Sequence, residues 1–206
     1  MVIGLTLLTC LFCAAKPASV ASINPDDLVE YNDAPEKIRG LIEFALGLTE
    51  KELGYTFGSN SPDKGGLDCS GTVQHTLTEA GVKGVPRSSY RIYQWANDAG
   101  KLTSTRGVSS TNDPVFENLQ PGDLLFWEGT YATADRIPPI SHVKLYLGTS
   151  KKDGKGVVFG ASNGRRFRGK KIHGVCVFDW VVPSATSKSR FVAYGPVPGL
   201  RDNGPD

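Results

Sequence analysis

The chain has 206 residues, 23 lysines and arginines against 21 acids for a net charge of +2, and 39% hydrophobic residues. That composition fits one globular domain with room for a core. It argues against a disordered chain, a coiled coil, a disulfide-dense mini-protein and a strongly basic nucleic-acid binder.

Residues 2–15 form an uncharged apolar run, followed by Lys16, Pro17 and the small residues Ala18-Ser19-Val20-Ala21. The run is too short to span a bilayer comfortably, and a Ser-x-Ala step fits signal-peptidase cleavage. The sequence therefore predicts a signal peptide over 1–21 and a single domain over 22–206, without stable membrane insertion after processing. No Lys or Arg precedes the run, so a buried N-terminal segment or a retained anchor is the alternative. Removing residues 1–21 takes away Cys10 and Cys13, leaving Cys69 and Cys176.

Apolar residues at helical spacing from Asp33 to Leu53, with Pro35 suited to the first turn, predict an amphipathic helix. A loop rich in Gly, Asn and Asp, Gly58 to Gly66, leads to a second helix from Cys69 to Ala80, stopped by Gly81. A third runs from about Ser88 to Ala99. After a polar stretch from Thr103 to Pro114 the texture becomes strand-like: Leu124–Trp127, His142–Leu147, Val157–Ala161, Gly174–Trp180 and Phe191–Tyr194. Helices first and strands afterwards imply an α+β domain on an antiparallel sheet. Residues 24–54 are acidic and residues 151–173 are basic. The basic stretch reads either as solvated hairpin edges or as a surface that attracts an anionic polymer.

Cys69 lies where the loop meets the second helix, in Leu67-Asp68-Cys69-Ser70-Gly71. A helix N-terminus favours a thiolate and offers N–H groups to an oxyanion, so Cys69 is expected to be partly exposed and ionisable; a small buried hydrophobe is the plain alternative. Of the three histidines, His75 lies six residues along the same helix and points largely away from Cys69. His173, among lysines, reads as part of a solvated turn. His142 begins an alternating strand from which it can reach a thiol on a packed helix. Cys176, on an apolar strand, is expected in the core. No HExxH, Walker or GxGxxG spacing occurs, so no metal or cofactor is expected.

Tyr55, Asp68-Cys69-Ser70-Gly71, Pro86-Arg87-Ser88-Ser89, Pro121-Gly122-Asp123-Leu124 and Ser141-His142-Val143 occur in that order. Together they resemble the NlpC/P60 family of papain-like cysteine peptidases, which cut cell-wall peptides. The resemblance covers Gly54 to Ala161. It implies a papain-like fold with N-terminal helices on a central antiparallel sheet of five to six strands. It further implies Cys69 as nucleophile, His142 as general base, and Tyr55 beside the thiol and the oxyanion. Asp68, Ser70, Arg87 and Ser88 are candidate structural or substrate-contacting positions. Many members carry a third polar residue, commonly His, on the strand after the base; here Gly160 stands there, leaving Ser162, Asn163 or a backbone carbonyl to orient the imidazole. The implied protein is an exported, monomeric amidase of peptidoglycan stem peptides, acting at a D-γ-glutamyl-diamino acid bond. A degenerate wall-binding module and a papain-like enzyme on a non-wall substrate are the alternatives.

Overall fold

The computed structural model of the chain describes residues 19–133 and 136–201. Helix α1, Glu36–Thr49, starts behind Pro35 and buries Ile38, Leu41, Ile42, Ala45 and Leu46. It stops short of the expected Leu53 because the chain turns off at Glu52, with φ 50°, and delivers the Leu53 carbonyl to the Val175 N–H at 2.9 Å. Two short strands, β1 (Gly54–Tyr55) and β2 (Gly66–Leu67), pair in parallel and close the glycine-rich loop between them. Helices α2 (Cys69–Glu79) and α3 (Ser89–Asp98) follow, at the predicted places.

The remaining strands are β3 (Thr103–Ser104), β4 (Leu124–Glu128), β5 (Ile140–Thr149), β6 (Gly156–Phe167), β7 (Lys170–Asp179) and β8 (Arg190–Gly195). They form one antiparallel sheet in the order β3-β8-β4-β5-β6-β7. Helices on an antiparallel six-stranded sheet are the α+β, papain-like architecture expected. Strands β1, β2 and β3 are additions; with two residues each they carry no periodicity to read. α2 and α3 pack on β5, which is buried almost from end to end, its polar residues Ser141, His142 and Lys144 included. Among the described residues no helix is long and apolar enough to cross a membrane.

The β6–β7 hairpin departs most from expectation. Instead of ending near Ala161 and restarting at Gly174, its strands run on to a two-residue turn at Arg168-Gly169, whose φ values of 48° and 80° are those of a tight hairpin turn. The ladder shifts register between Asn163 and Arg165, around Gly164 with φ 88°. This bulge bends the hairpin until its tip folds back. The Arg168 N–H donates to both Asp179 carboxylate oxygens, each at 3.0 Å, and its guanidinium to Ser150 Oγ at 3.1 Å. The basic stretch is thereby divided: the lysines are exposed, while Arg165 turns half-buried toward the sheet. His173 is not in a solvated turn. It sits buried within β7, paired with Asn163, because the hairpin continues past it.

Residues 1–18 of the expected leader, with Cys10 and Cys13, lie outside the described residues. Its last three residues run along the outer edge of β7. Ser19 exchanges backbone hydrogen bonds with His173 at 3.3 and 3.2 Å, and Ala21 O accepts from Val177 at 3.0 Å. A chain beginning at Ser22 lacks these three bonds and leaves the edge bare. We expect it to melt below a chain beginning at Ser19 by roughly 3–10 °C, from about 1–3 kcal/mol of lost bonding, as measured by thermal unfolding of the two proteins.

Candidate active site

The head of α2 is built around Asp68. Its carboxylate caps the helix, accepting from Gly71 N at 2.6 Å, and also accepts from Gly58 N at 2.8 Å and Ser70 Oγ at 3.2 Å. Arg87 closes the group with a forked pair to both oxygens, at 3.1 and 2.7 Å, and donates to Ser70 Oγ at 3.0 Å. Gly71 is required here: a Cβ would run into the Ser59 carbonyl, so only glycine lets the first turn dock on the loop. Asp68, Ser70 and Arg87 thus direct their hydrogen bonds at one another. Ser88 caps α3, accepting from Arg91 N at 3.3 Å. None of the four lines the cleft described below.

This clamp sets Cys69 on the first turn of α2, 5% exposed. Burial, and then the Asp68 carboxylate, push the thiol up to about 11. The N–H groups of Val143, Ser70 and Cys69 itself pull the other way without overcoming that. The expectation of a partly exposed, readily ionisable sulfur is therefore corrected: desolvation outweighs the helix terminus, and at neutral pH the resting group is a thiol. Cys176 is buried as expected, and both cysteines are free.

The Val143 amide that reaches the Cys69 sulfur follows His142 in β5, so the backbone itself brings helix and strand together. His142 is opposite Trp127 on β4, with ring centroids 5.8 Å apart. Burial, with Lys144 and then Arg165 nearby, holds the imidazole well below its ordinary value, so it rests neutral. His75 instead meets Phe44 across α1 and α2, at 5.7 Å between ring centroids.

A cleft of about 490 Å³ opens at this point, lined by Tyr55, Phe57, Thr130, Tyr131, His142, Ser162, Asn163, Gly164 and Arg165. Tyr55 is half-buried; burial and then the neighbouring Cys69 raise its phenol, which stays protonated as a donor. Ser141 steadies the facing turn by accepting from Thr130 N at 2.9 Å and Oγ1 at 2.7 Å.

The orienting residue is the missing part. Continuing the β5–β6 pairing of Leu145 with Phe159 puts Gly160 level with Lys144 and Ser162 level with His142. A Cβ at Gly160 would lie 3.2 Å from Lys144 Cγ, which places the lysine stem over that glycine. Ser162 is buried and Asn163 exposed. The His142 Nε2 is buried and has no hydrogen-bond partner among the described residues. Sequence reasoning passed over Lys144 as the polar member of an alternating strand. The signal available was its place two residues from the candidate base, on the same face.

The NlpC/P60 family profile matches residues 52–175, more than half of the chain. The chain belongs to the NlpC/P60 family. Among solved structures, it is similar to a Staphylococcus aureus subsp. aureus Mu50 protein described as similar to a lipoprotein of the NLP/P60 family. The identity is 21% over 79% of this chain and 44% of that one, with a TM-score of 0.43. It is also similar to a NlpC/P60 endopeptidase from Photobacterium damselae subsp. piscicida, at 16% identity over 76% of this chain and 38% of that one, with a TM-score of 0.47. The chain spans less than half the length of either. No curated protein matches.

Two outcomes follow for this member of the family. Arg87→Ala leaves the Asp68 carboxylate under-satisfied at the head of α2 and should cost about 2–3 kcal/mol in urea unfolding, with Arg87→Lys recovering only part because it lacks the fork. With a thiol raised to about 11, only about 1 in 10⁴ Cys69 groups is a thiolate at pH 7. Alkylation of Cys69, followed by peptide mass, should be about 100-fold slower than that of a free cysteine at pH 7 and should climb steadily up to pH 10.

Proposed function

We propose that the chain is an exported cysteine amidase of peptidoglycan stem peptides, acting through an acyl-enzyme on Cys69. Family membership supports a cell-wall peptidase or amidase as the general reading. The observation that carries the finer one is the Cys69 sulfur held at the Val143 amide, one residue from a neutral His142 that lines an open cleft.

Because thiol and imidazole both rest uncharged, the pair acts by proton transfer during attack rather than as a standing ion pair. His142 takes the thiol proton as the sulfur adds to the amide carbon, and returns it to the leaving amine. The oxyanion is met by a backbone N–H at the head of α2 and by the protonated Tyr55 hydroxyl. Water then hydrolyses the thioester with His142 as base. The bond cut is that between D-γ-glutamate and the following diamino acid. Residues 1–21 serve as the export signal, the protein acts as a monomer outside the cytoplasmic membrane, and it takes no nucleic acid, metal or cofactor.

Purified cell wall incubated with the wild-type protein should yield new amine termini, located by mass spectrometry of the released peptides. Cys69→Ala and His142→Ala should each lower that release by at least about 10³-fold. Release by Cys69→Ala at the wild-type rate would overturn the reading. The unpartnered His142 Nε2 favours one rival, a wall-binding module without turnover, which would give sedimentation with cell wall and no new termini.

A further inference from the structure

A second cavity, of about 310 Å³, opens beside the cleft and is walled in part by the bent β6–β7 hairpin. The two share His142, Gly164 and Arg165, while Tyr55 belongs to the cleft alone. The polar lining of the second is rich in donors that nothing uses. His142, Lys144 and Trp180 are each more than nine-tenths buried. The His142 Nε2 and the Trp180 Nε1 have no hydrogen-bond partner among the described residues. The Lys144 ammonium rests on the Phe178 ring, 3.6 Å from its centre, and makes no hydrogen bond or ion pair with a described residue. Arg165, half-buried on the hairpin, makes none either. The acid of the lining, Asp179, is already engaged, accepting from the Arg168 N–H at 3.0 Å on each oxygen.

Burying a cation without a counterion is costly, and so is burying an N–H without an acceptor. One kind of ligand answers all of these groups: an acceptor with several lone pairs and a single negative charge. The walls narrow it further. Trp127, Val158 and the Trp180 ring offer apolar surface to a carbon body. The Asp179 carboxylate in the same lining disfavours a dianion such as phosphate.

We propose that this cavity is a binding site for a carboxylate carried on a short carbon chain. The carboxylate accepts from His142 Nε2–H and Trp180 Nε1–H, and Lys144 and Arg165 supply the countercharge. Lys144 does so from its place on the Phe178 ring, without touching the imidazole. Burial, and then Arg165, disfavour the Lys144 ammonium, and an anion in the same cavity offsets that cost. Gly160 has no side chain to accept from Nε2, and the bound carboxylate does so instead. With the Cys69 proton taken at Nδ1, the imidazole carries its own hydrogen on Nε2, and no bond to the ligand forms or breaks. Two sources share this chemistry: a carboxylate of the stem peptide, since cleft and cavity meet at His142, and a free small acid. Binding itself is independent of the substrate proposed above.

Butyrate is the probe, with butyramide as its neutral control and chloride as a plain anion, at constant ionic strength. In ¹H–¹⁵N spectra of the wild-type protein, which has three tryptophans, butyrate should shift the Trp180 indole N–H and the His142 Nε2 saturably at roughly millimolar concentration. Butyramide and chloride should shift neither. Lys144→Met keeps the stem and removes the charge, and should weaken butyrate about 10- to 100-fold, the range for losing a charged partner. Arg165→Gln should weaken it about 10-fold, and decides the matter if Lys144→Met fails to fold. The proposal is overturned if butyrate leaves either signal unmoved, if butyramide or chloride reproduces its shifts, or if the folded variant binds like wild type. None of these readings needs cell wall or turnover, so they stand apart from the test of the amidase. The Cys69→Ala protein then separates the sources. Displacement of butyrate by a γ-D-glutamyl stem peptide with free carboxylates, and not by the fully amidated peptide, supports the site as one for substrate. Butyrate retained against both supports it as one for a free acid.

Discussion

The arrangement depends on one buried carboxylate. Asp68 accepts from two backbone N–H groups, a serine hydroxyl and both arms of a guanidinium, and in doing so joins the loop, the head of α2 and the segment before α3 into one unit. A charge this enclosed holds only while fully paired, since removing a partner leaves it desolvated and unmet. Its spatial effect is to hold Cys69 against β5. Its electrical effect works against ionisation of the same cysteine, because a carboxylate beside a sulfur disfavours the thiolate. Arg87 keeps Asp68 in place.

That compromise explains why the pair is neutral at rest. A thiolate at a helix end is stable where water or a facing imidazolium shares the charge. Here the sulfur is almost covered, and His142 lies between Trp127 and two bases, Lys144 and Arg165, that resist a further positive charge. In the proposed reaction, charge appears on the pair only transiently, when a substrate carbonyl takes the sulfur's electrons. A protonated Tyr55 and the N–H groups at the head of α2 are the donors that the proposal assigns to the negative charge that results.

Much of this was legible in the sequence, and the legible parts share a cause. The helices at 36–49, 69–79 and 89–98 are amphipathic or capped by side chains whose chemistry is local, and the long strands alternate or run apolar. The ordered motifs placed Tyr55, Cys69 and His142 around one site because each is tied to a cap or a strand start. What stayed hidden depends on curvature. Nothing in Ser162 to Lys171 announces that a bulge at Gly164 folds the hairpin back onto Asp179 and Ser150, so His173 read as solvated and Arg165 as surface. The exposure of Cys69 was misjudged for a related reason: the helix terminus is visible in the sequence, but the strand that covers it is distant in the chain.

Lys144 is a buried base in the middle of β5. Placing a lysine where β5 is otherwise closed desolvates its amine, and the unfolded chain, in which that amine is free to take a proton, is increasingly favoured as pH falls from the ordinary lysine value toward the depressed one of the fold. His142 adds to this below about pH 6.5, where the unfolded imidazole binds a proton that the folded one refuses. Both groups therefore draw stability from the fold as pH falls, and neither recovers it through an ion pair. A core selected for stability alone would fill the space above Gly160 with an apolar side chain and leave no cavity beside the histidine. It holds instead an amine, a neighbouring guanidinium and an imidazole whose Nε2 has no partner among the described residues.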